Sequence, residues 1–433
     1  MNPTRTRPHR SPAPSPARSP APSPAPPEPR SGPAALLGLL TAAGGPRYAA
    51  ALLVDALGTG LLRPFLLLYG IGVLALDAGT AGLAMSAGMV AGLLVLPLTG
   101  RWIDRGARSR PAAATLLVRA AGAVTLLLSD GTPGFVAAAV LLGVGSQSWP
   151  ATHAAVVTTL TEGRTRDAAL AAGRTLRNAG LGAGALLATL AVAGGPGTLR
   201  LLAGVTAVGC LLSAALVHSL RVSAPRTPSA PAASEGPAGT GPAGSPALRR
   251  ITLLSVANLP FAFSFDVLEV ALPALLVLHL HASAAWSSGI FVGNTVLVIT
   301  LQLAVVLRLA HRSRHTLLAL GGTALALSYL GFWAASGIGG TAGASAVAVV
   351  SVLFTLGEIL YSGSGTALVA ASAPPHLLGR ALARWELSMG VGRALAPAVL
   401  TALLAAGPGV LWPSLAAVTL LAAAAVARLR PAG

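Results

Sequence analysis

The sequence predicts an all-α integral membrane protein with twelve transmembrane helices in two six-helix halves that form a parallel repeat. Of its 433 residues, 54% are hydrophobic and only 9% are charged, a mix far from that of soluble domains. Apolar stretches of 18 or more residues recur along the chain. Each of them is long enough to cross a bilayer core of about 30 Å.

Twelve spans result when the chain is divided at its Gly, Pro and charge clusters. They cover approximately residues 48–70, 79–99, 112–129, 134–159, 168–194, 198–219, 251–279, 286–308, 316–336, 342–371, 381–405 and 409–428. The longer spans must tilt or extend into water.

The basic residues predict the orientation and exclude one class of partner. All 29 are Arg, and most of them fall on one side when the N-terminus is placed in the cytoplasm. Positive charge marks the cytoplasmic side, so we expect a multi-pass plasma-membrane protein with both termini in the cytoplasm. Because no aromatic residues are interleaved with the Arg residues to stack on bases, the net charge of +17 does not predict nucleic-acid binding.

Composition also divides the chain into domains. Residues 1–46 predict a disordered Pro/Arg-rich cytoplasmic tail, and residues 220–249 a flexible cytoplasmic linker. Residues 47–219 and 250–430 are the predicted six-helix halves. The single cysteine, Cys210, lies in an apolar run and can form no internal disulfide. We predict neither a metal nor a cofactor.

An internal repeat relates the two halves. Three pairs of similar stretches recur at nearly one offset, beginning at Asp55 and Asp266, Arg174 and Arg384, and Gly145 and Gly357. Six spans per half place the two halves in the same orientation, which is the parallel-repeat arrangement of some secondary transporters.

A charged stretch, "TGRWIDRGARSRP" at residues 99–111, lies between spans 2 and 3. It resembles the signature of the major facilitator superfamily, which runs roughly G-x-x-x-D-R-x-G-R-R-R. The matching residues are Gly100, Asp104, Arg105, Gly106, Arg108 and Arg110, with one residue missing between Arg105 and Gly106. Stretches such as "DALGTGLLRPFLLLY" and "RTLRNAGLGAGALL" look like bacterial drug-efflux members of that family.

The chain departs from the proton-antiporter members in two places. It has Ala139 where span 4 often carries Arg, and it has no Pro beside Gly180, Gly182 and Gly184 of span 5. We interpret those glycines as a close-packing surface.

The resemblance implies a gate latch in the loop between spans 2 and 3. We expect Asp104 to accept hydrogen bonds from backbone N–H groups at the start of span 11, near Arg384. Arg108 is expected to pair with an acid at the cytoplasmic end of span 4, either Glu162 or Asp167. Such pairs would hold the two halves together. The alternative is that the Arg residues only set topology.

Charged residues inside the spans are candidates for the substrate or proton path, since charges within a membrane are costly. We expect Asp55 to pair with Arg63, and Asp266 and Glu269 to share one helix face. Glu358 is a candidate proton carrier, with Arg119 and Arg393 as counter-charges. The alternative for each of them is a static ion pair.

These features favour a secondary transporter that works by alternating access, a monomer in the bilayer that moves a small-molecule substrate with protons as the coupling ion. Export of small amphipathic organic compounds follows from the drug-efflux resemblance. The sequence lacks G-x-x-x-x-G-K-[ST], so nothing indicates an ATP motor. Scattered acids argue against an enzyme. Uptake or facilitated diffusion of a metabolite, or a non-transporting receptor, remain alternatives.

Overall fold

Nearly all of the described chain is helical. The computed structural model describes residues 38–39, 44–62, 65–192, 196–224 and 246–429. In these ranges it contains twelve long helical segments. They are α1 (Gly45–Leu62 and Leu66–Gly72), α2 (Ala78–Asp104), α3 (Ser109–Leu128), α4 (Thr132–Leu160), α5 (Gly163–Val192), α6 (Pro196–Ser219), α7 (short pieces from Pro246–Ala257 to Leu275–His279), α8 (Ala284–Arg308), α9 (Arg314–Ser336), α10 (Gly340–Ser372), α11 (Leu378–Ala405) and α12 (Pro408–Arg428).

Length and composition support the membrane assignment. Within the described residues, nine helices are long and apolar enough to cross a bilayer, and ten are if the two pieces of α1, bent by 41°, count as one span. The all-α membrane fold is therefore confirmed. Helices α4 and α5 are 29 and 30 residues long but are not among the nine, so twelve crossings stay a prediction. Most of the predicted tail and most of the predicted linker lie outside the described residues, and the last linker positions, 246–249, are helical.

The two halves pack by the same plan. In the first half α1 packs on α5 and α6, α2 on α4, and α3 on α4 and α6; in the second, α7 packs on α11 and α12, α8 on α10, and α9 on α10 and α12. Each contact in the second half corresponds to a contact in the first half when six is added to both helix numbers. The halves meet through α2 with α11 and through α5 with α8, which are also equivalent under that shift.

Close backbone contacts require glycine in α5. A Cβ on Gly180 would meet Ala56 of α1, and one on Gly184 would meet the α1 backbone at Leu57 and Gly60. Gly182 faces away, with nothing within 4 Å of its Cβ position. Small residues at such positions let helices approach closely in a membrane, where lipid supplies little hydrophobic driving force.

Helix α7 is irregular through its middle. It changes from α-helix to π-helix at Val267–Ala271 and again at Leu275–His279. Pro260 and Pro273 lie among these breaks, and proline supplies no backbone N–H. Asp266, which immediately precedes the first π-helical turn, is buried, whereas Glu269 within that turn is exposed; that the two acids share one helix face stays a prediction.

Candidate functional site

The end of α2 contacts the start of α11. Asp104, the last residue of α2, accepts hydrogen bonds at Oδ1 from the backbone N–H of Gly379 (2.6 Å) and at Oδ2 from Nε of Arg380 (2.8 Å). The backbone N–H of Arg380 also donates to Oδ2 at 3.3 Å. The Asp104 side chain is only 6% exposed. We call this contact the latch, and the membrane face that carries it the latch face.

Glycines allow the latch to close. A Cβ on Gly379 would collide with the carbonyl oxygen of Gly100, and one on Gly100 would meet Ala383 at 2.8 Å. The two helices therefore touch backbone to backbone beside the Asp104 carboxylate.

The cation at the latch is Arg380, not Arg384. Arg384 lies one turn further along α11 and donates to the hydroxyl of Thr252 at 2.7 Å and to the carbonyl of Leu248 at 3.3 Å. Those acceptors belong to α7, so Arg384 links helices within the second half. Asp104 contacts Arg380 and not Arg384 for a geometric reason. Only the first residues of α11 have backbone N–H groups that are free of helix hydrogen bonds and can reach a carboxylate.

Arg108 does not pair with an acid as expected. It is buried and donates to the carbonyl of Ile103 and, through Nε, to the hydroxyl of Thr159 at 3.1 Å. It therefore joins the ends of α2 and α4 within the first half. Glu162 and Arg105 are both exposed at the surface. Gly106, next to Arg105, makes the turn after α2 with a φ of +94°.

Asp167, the other acid considered for Arg108, makes a second link between the halves. Nε of Arg314 at the start of α9 donates to its carboxylate oxygens at 2.8 and 3.1 Å. Both side chains are partly exposed, 19% for Asp167 and 27% for Arg314. This exposed pair lies on the latch face with the buried contact at Asp104.

Asp55 forms a buried ion pair with Arg119. Arg119 also donates to the hydroxyl of Thr59, one turn along α1. Asp55 and Arg119 are 3% and 4% exposed, and Cys210 of α6 is their neighbour. The pair is thus enclosed within the first half. Arg63, the partner that the sequence suggested, lies outside the described residues.

A group of charged residues connects the halves in the middle of the molecule. Arg174 of α5 has Glu386 of α11 and Glu358 of α10 as charged neighbours. Arg177 also neighbours Glu386. The sequence suggested none of Arg174, Arg177 and Glu386 as a path candidate, although both Arg residues lie in the predicted span 168–194. A signal was present, since Glu386 is an acid within the predicted span 381–405.

Glu358 is surrounded by residues from four other helices. Its side chain is hydrogen-bonded to Asn294 of α8, and its charged neighbours are Arg174, Glu269 of α7 and Arg393 of α11. Asn294 accepts a hydrogen bond from the hydroxyl of Thr355 at 2.6 Å. Glu269 and Arg393, which the sequence placed on the path, therefore lie around the same acid.

Asp266 and Arg393 form a looser pair, with 3.8 Å between the carboxylate oxygen and Nε. The Arg393 guanidinium also lies 5.9 Å from the ring centroid of Phe265. Nearby, the Tyr361 hydroxyl donates to Oδ1 of Asn258 at 2.7 Å. Polar links thus join α7, α10 and α11 beside the Glu358 group.

A cavity of about 350 Å³ opens between α8 and α10. Its lining consists of Ser283, Ala285, Trp286, Gly289, Ile290, Gly293, Asn294, Leu297, Ala348, Ser351, Val352 and Thr355. Most of this lining is apolar, and Asn294 connects its inner end to Glu358. Among the described residues, no cluster of three or more His, Cys, Asp or Glu could hold a metal ion.

Comparison with solved structures shows the fold. The human organic anion transporter MFSD10 (TETRAN) superposes with a TM-score of 0.71 at 17% identity, covering 92% of this chain and 100% of that one. A bacterial homologue of the iron transporter ferroportin, in an outward-facing state with soaked iron, gives 0.68 at 14% identity over 88% and 97%. FucP in the outward conformation gives 0.66 at 13% identity over 88% and 96%.

Sequence comparison gives the family. No curated protein matches the chain. The sequence profile of the Major Facilitator Superfamily matches residues 48–381, a range that includes the latch residues, Arg174 and Glu358. The chain therefore belongs to the Major Facilitator Superfamily and is a membrane transporter, not an enzyme.

Proposed function

We propose that this transporter is a proton-coupled exporter of small amphipathic organic compounds, working as a monomer in the cell membrane by alternating access. One observation carries the proposal. The carboxyl group of Glu358 faces Arg174 of the other half and, through Asn294, reaches the end of a mostly apolar cavity.

Glu358 can couple a proton to the separation of the halves. When it is ionised, it attracts Arg174 across the boundary between the halves. A proton on Glu358 removes that attraction and also removes its repulsion with Glu269. Since the two charge states favour different distances between α5 and α10, protonation shifts the balance between conformations.

The cavity supports an amphipathic substrate. Trp286, Ile290, Leu297 and Val352 supply apolar surface, whereas Asn294 and Thr355 supply polar groups at one end. A site of this kind, apolar with a few fixed polar groups, is typical of those that hold small organic molecules.

The latch fits the outward-facing step of an export cycle. Asp104 and Asp167 hold the halves together on the latch face, which the Arg distribution places in the cytoplasm. With that face closed, we interpret the structure as an outward-facing state, in which a proton from outside would reach Glu358 and displace an exported compound.

Proteoliposomes with an imposed pH gradient test this function, using a panel of lipophilic cations and neutral antibiotics. We expect wild-type protein to move at least one compound against its gradient. Glu358→Gln should abolish the dependence on the pH gradient and leave exchange of labelled compound intact. Glu162→Gln, the same change at an exposed acid, is the matched control.

Two results would contradict the proposal. Wild-type flux that ignores the pH gradient refutes proton coupling and favours facilitated diffusion. Gradient-driven movement toward the cytoplasmic side shows uptake instead of export.

A further inference from the structure

We infer that Tyr329 of α9 is a positioning residue for Glu358: once the halves separate on the latch face, its hydroxyl donates a hydrogen bond to the Glu358 carboxylate in place of Arg174. The inference rests on the proposed function in that it takes Glu358 as the proton carrier. It adds the group that stabilises the ionised carboxylate after the proton has left.

The Tyr329 hydroxyl has no partner in the latch-closed structure. The residue is fully buried, and no described residue forms a hydrogen bond with its hydroxyl. By contrast, the hydroxyl of the buried Tyr69 donates to the carbonyl of Leu126 at 3.1 Å. An unpaired buried hydroxyl costs free energy, and native structures leave few of them. We therefore expect the Tyr329 hydroxyl to gain a partner in another state of the transport cycle.

Backbone contacts keep α9 and α10 together within the second half. A Cβ on Gly321 of α9 would lie 2.8 Å from the backbone nitrogen of Tyr361 of α10. One on Gly357 of α10 would lie 3.1 Å from the Gly321 carbonyl oxygen. Tyr329 therefore stays beside α10 when α5 moves away with the first half.

The Tyr329 and Glu358 side chains tilt toward each other. The ring of Tyr329 contacts that of Phe354, with 6.2 Å between the centroids. Leu325, one turn earlier on α9, meets Gly357, which comes later on α10, so the two helices are antiparallel. Because helical side chains tilt toward the N-terminus of their own helix, Tyr329 tilts toward the level of Gly357. Glu358 tilts toward the level of Phe354, with which it shares a helix face, and it is the charged neighbour of Tyr329.

Glu358 can accept a second hydrogen bond. Its partner in this structure is Asn294 of α8, and a carboxylate can accept several hydrogen bonds. Separation of the halves removes Arg174, and a carboxylate without a partner is costly inside a membrane. A hydroxyl that moves with α10 offsets this cost, so Glu358 can release its proton. The charged and titratable groups around Glu358 are Arg174 of α5, Glu269 of α7, Tyr329 of α9, Tyr361 of α10 and Arg393 of α11.

Infrared titration of the full-length protein in lipid nanodiscs tests the inference. The carbonyl band that Glu358→Gln removes reports the protonated form of Glu358. Asp104→Asn supplies the latch-open state, because its amide nitrogen cannot accept the hydrogen bonds that Arg380 donates. In that background Tyr329→Phe should raise the midpoint pH of the band by about one unit, a tenfold change. With Asp104 intact, where Arg174 faces the carboxylate, the midpoint should move by under about 0.3 unit, a twofold change.

Tyr69→Phe is the matched control, because it removes a buried hydroxyl that has a partner in the first half. It should leave the midpoint of the Glu358 band unchanged in both backgrounds. Tyr329→Phe removes only an unpaired hydroxyl, so its melting temperature should not fall below that of the wild type.

Each outcome decides between the possibilities. An unchanged midpoint in Asp104→Asn with Tyr329→Phe overturns the inference, and an equal shift in both backgrounds overturns the assignment to the latch-open state. Because the titration needs no gradient, the expected shift without proton-driven transport would refute only the proposed function. Proton-driven transport with an unchanged midpoint would refute only this inference.

Discussion

Replacing Asp104 by Asn weakens the latch by an amount that the structure allows us to work out. Asn keeps one carbonyl oxygen for the Gly379 N–H, but its amide nitrogen cannot accept the two hydrogen bonds that Arg380 donates at 2.8 and 3.3 Å. Hydrogen bonds to charged groups contribute about 1.5–3 kcal/mol each. The Arg380 side chain is 37% exposed, so solvent screening reduces that figure.

We therefore expect a loss of about 2 kcal/mol from the latch-closed state. Since 1.4 kcal/mol is a tenfold change, the ratio of latch-closed to latch-open protein should fall about 30-fold. Transport should fall as well, because the latch-closed state is depopulated.

Distances between nitroxide labels measure this change directly. Cysteines at Arg101 and His376, both exposed near the latch, can carry the labels once the buried Cys210 is replaced by Ala. In Asp104→Asn the distance distribution should gain a longer component.

Asp77→Asn is the control, because Asp77 caps the opposite end of the same helix by accepting from the N–H of Thr80 at 2.8 Å, and Asn caps helices equally well. The reasoning is refuted if Asp104→Asn leaves both the distance distribution and the transport rate as they are in Asp77→Asn.

Three further changes probe the other contacts. Asp55→Asn leaves the Arg119 charge buried without its partner and should destabilise the protein by about 3–5 kcal/mol; the melting temperature in detergent should fall sharply, and a normal value would show that the pair is not enclosed. Asp167→Asn should destabilise the latch-closed state by under about 1 kcal/mol, because its pair with Arg314 is partly exposed. The distances between the nitroxide labels should therefore change less than in Asp104→Asn. A larger change would show that the Asp167 link is the stronger of the two. Gly379→Ala places a methyl group against the α2 backbone and should open the latch at least as far as Asp104→Asn, so wild-type distances would contradict the close approach.

Much of the architecture was predictable because hydrophobic length and charge placement act locally. Apolar runs predicted the all-α membrane fold, and repeated stretches predicted two equivalent halves, which the equivalent helix packing now displays. The resemblance of the Asp104 stretch to a family signature implied a contact with the start of α11, where the structure places its partners.

The partners of individual charges were less predictable, because pairing depends on which helices are neighbours. Asp55 was matched with Arg63 on its own helix, yet α3 places Arg119 against it. Arg108 was matched with an acid, but the acid Asp167 lies close enough to Arg314 to pair with it.

The sequence by itself determined that this protein is helical and spans a membrane, since bilayer thickness and the cost of buried charge constrain any chain of this composition. The function of a transporter followed from the resemblance of the charged loop between its second and third spans to a family signature. Only the tertiary structure decided that Arg174 and Glu386 face each other between the halves. Residues more than 200 positions apart in the sequence are charged neighbours there because α5 packs on α8 and α11 packs on α2, both across the boundary between the halves, and no local pattern encodes that proximity.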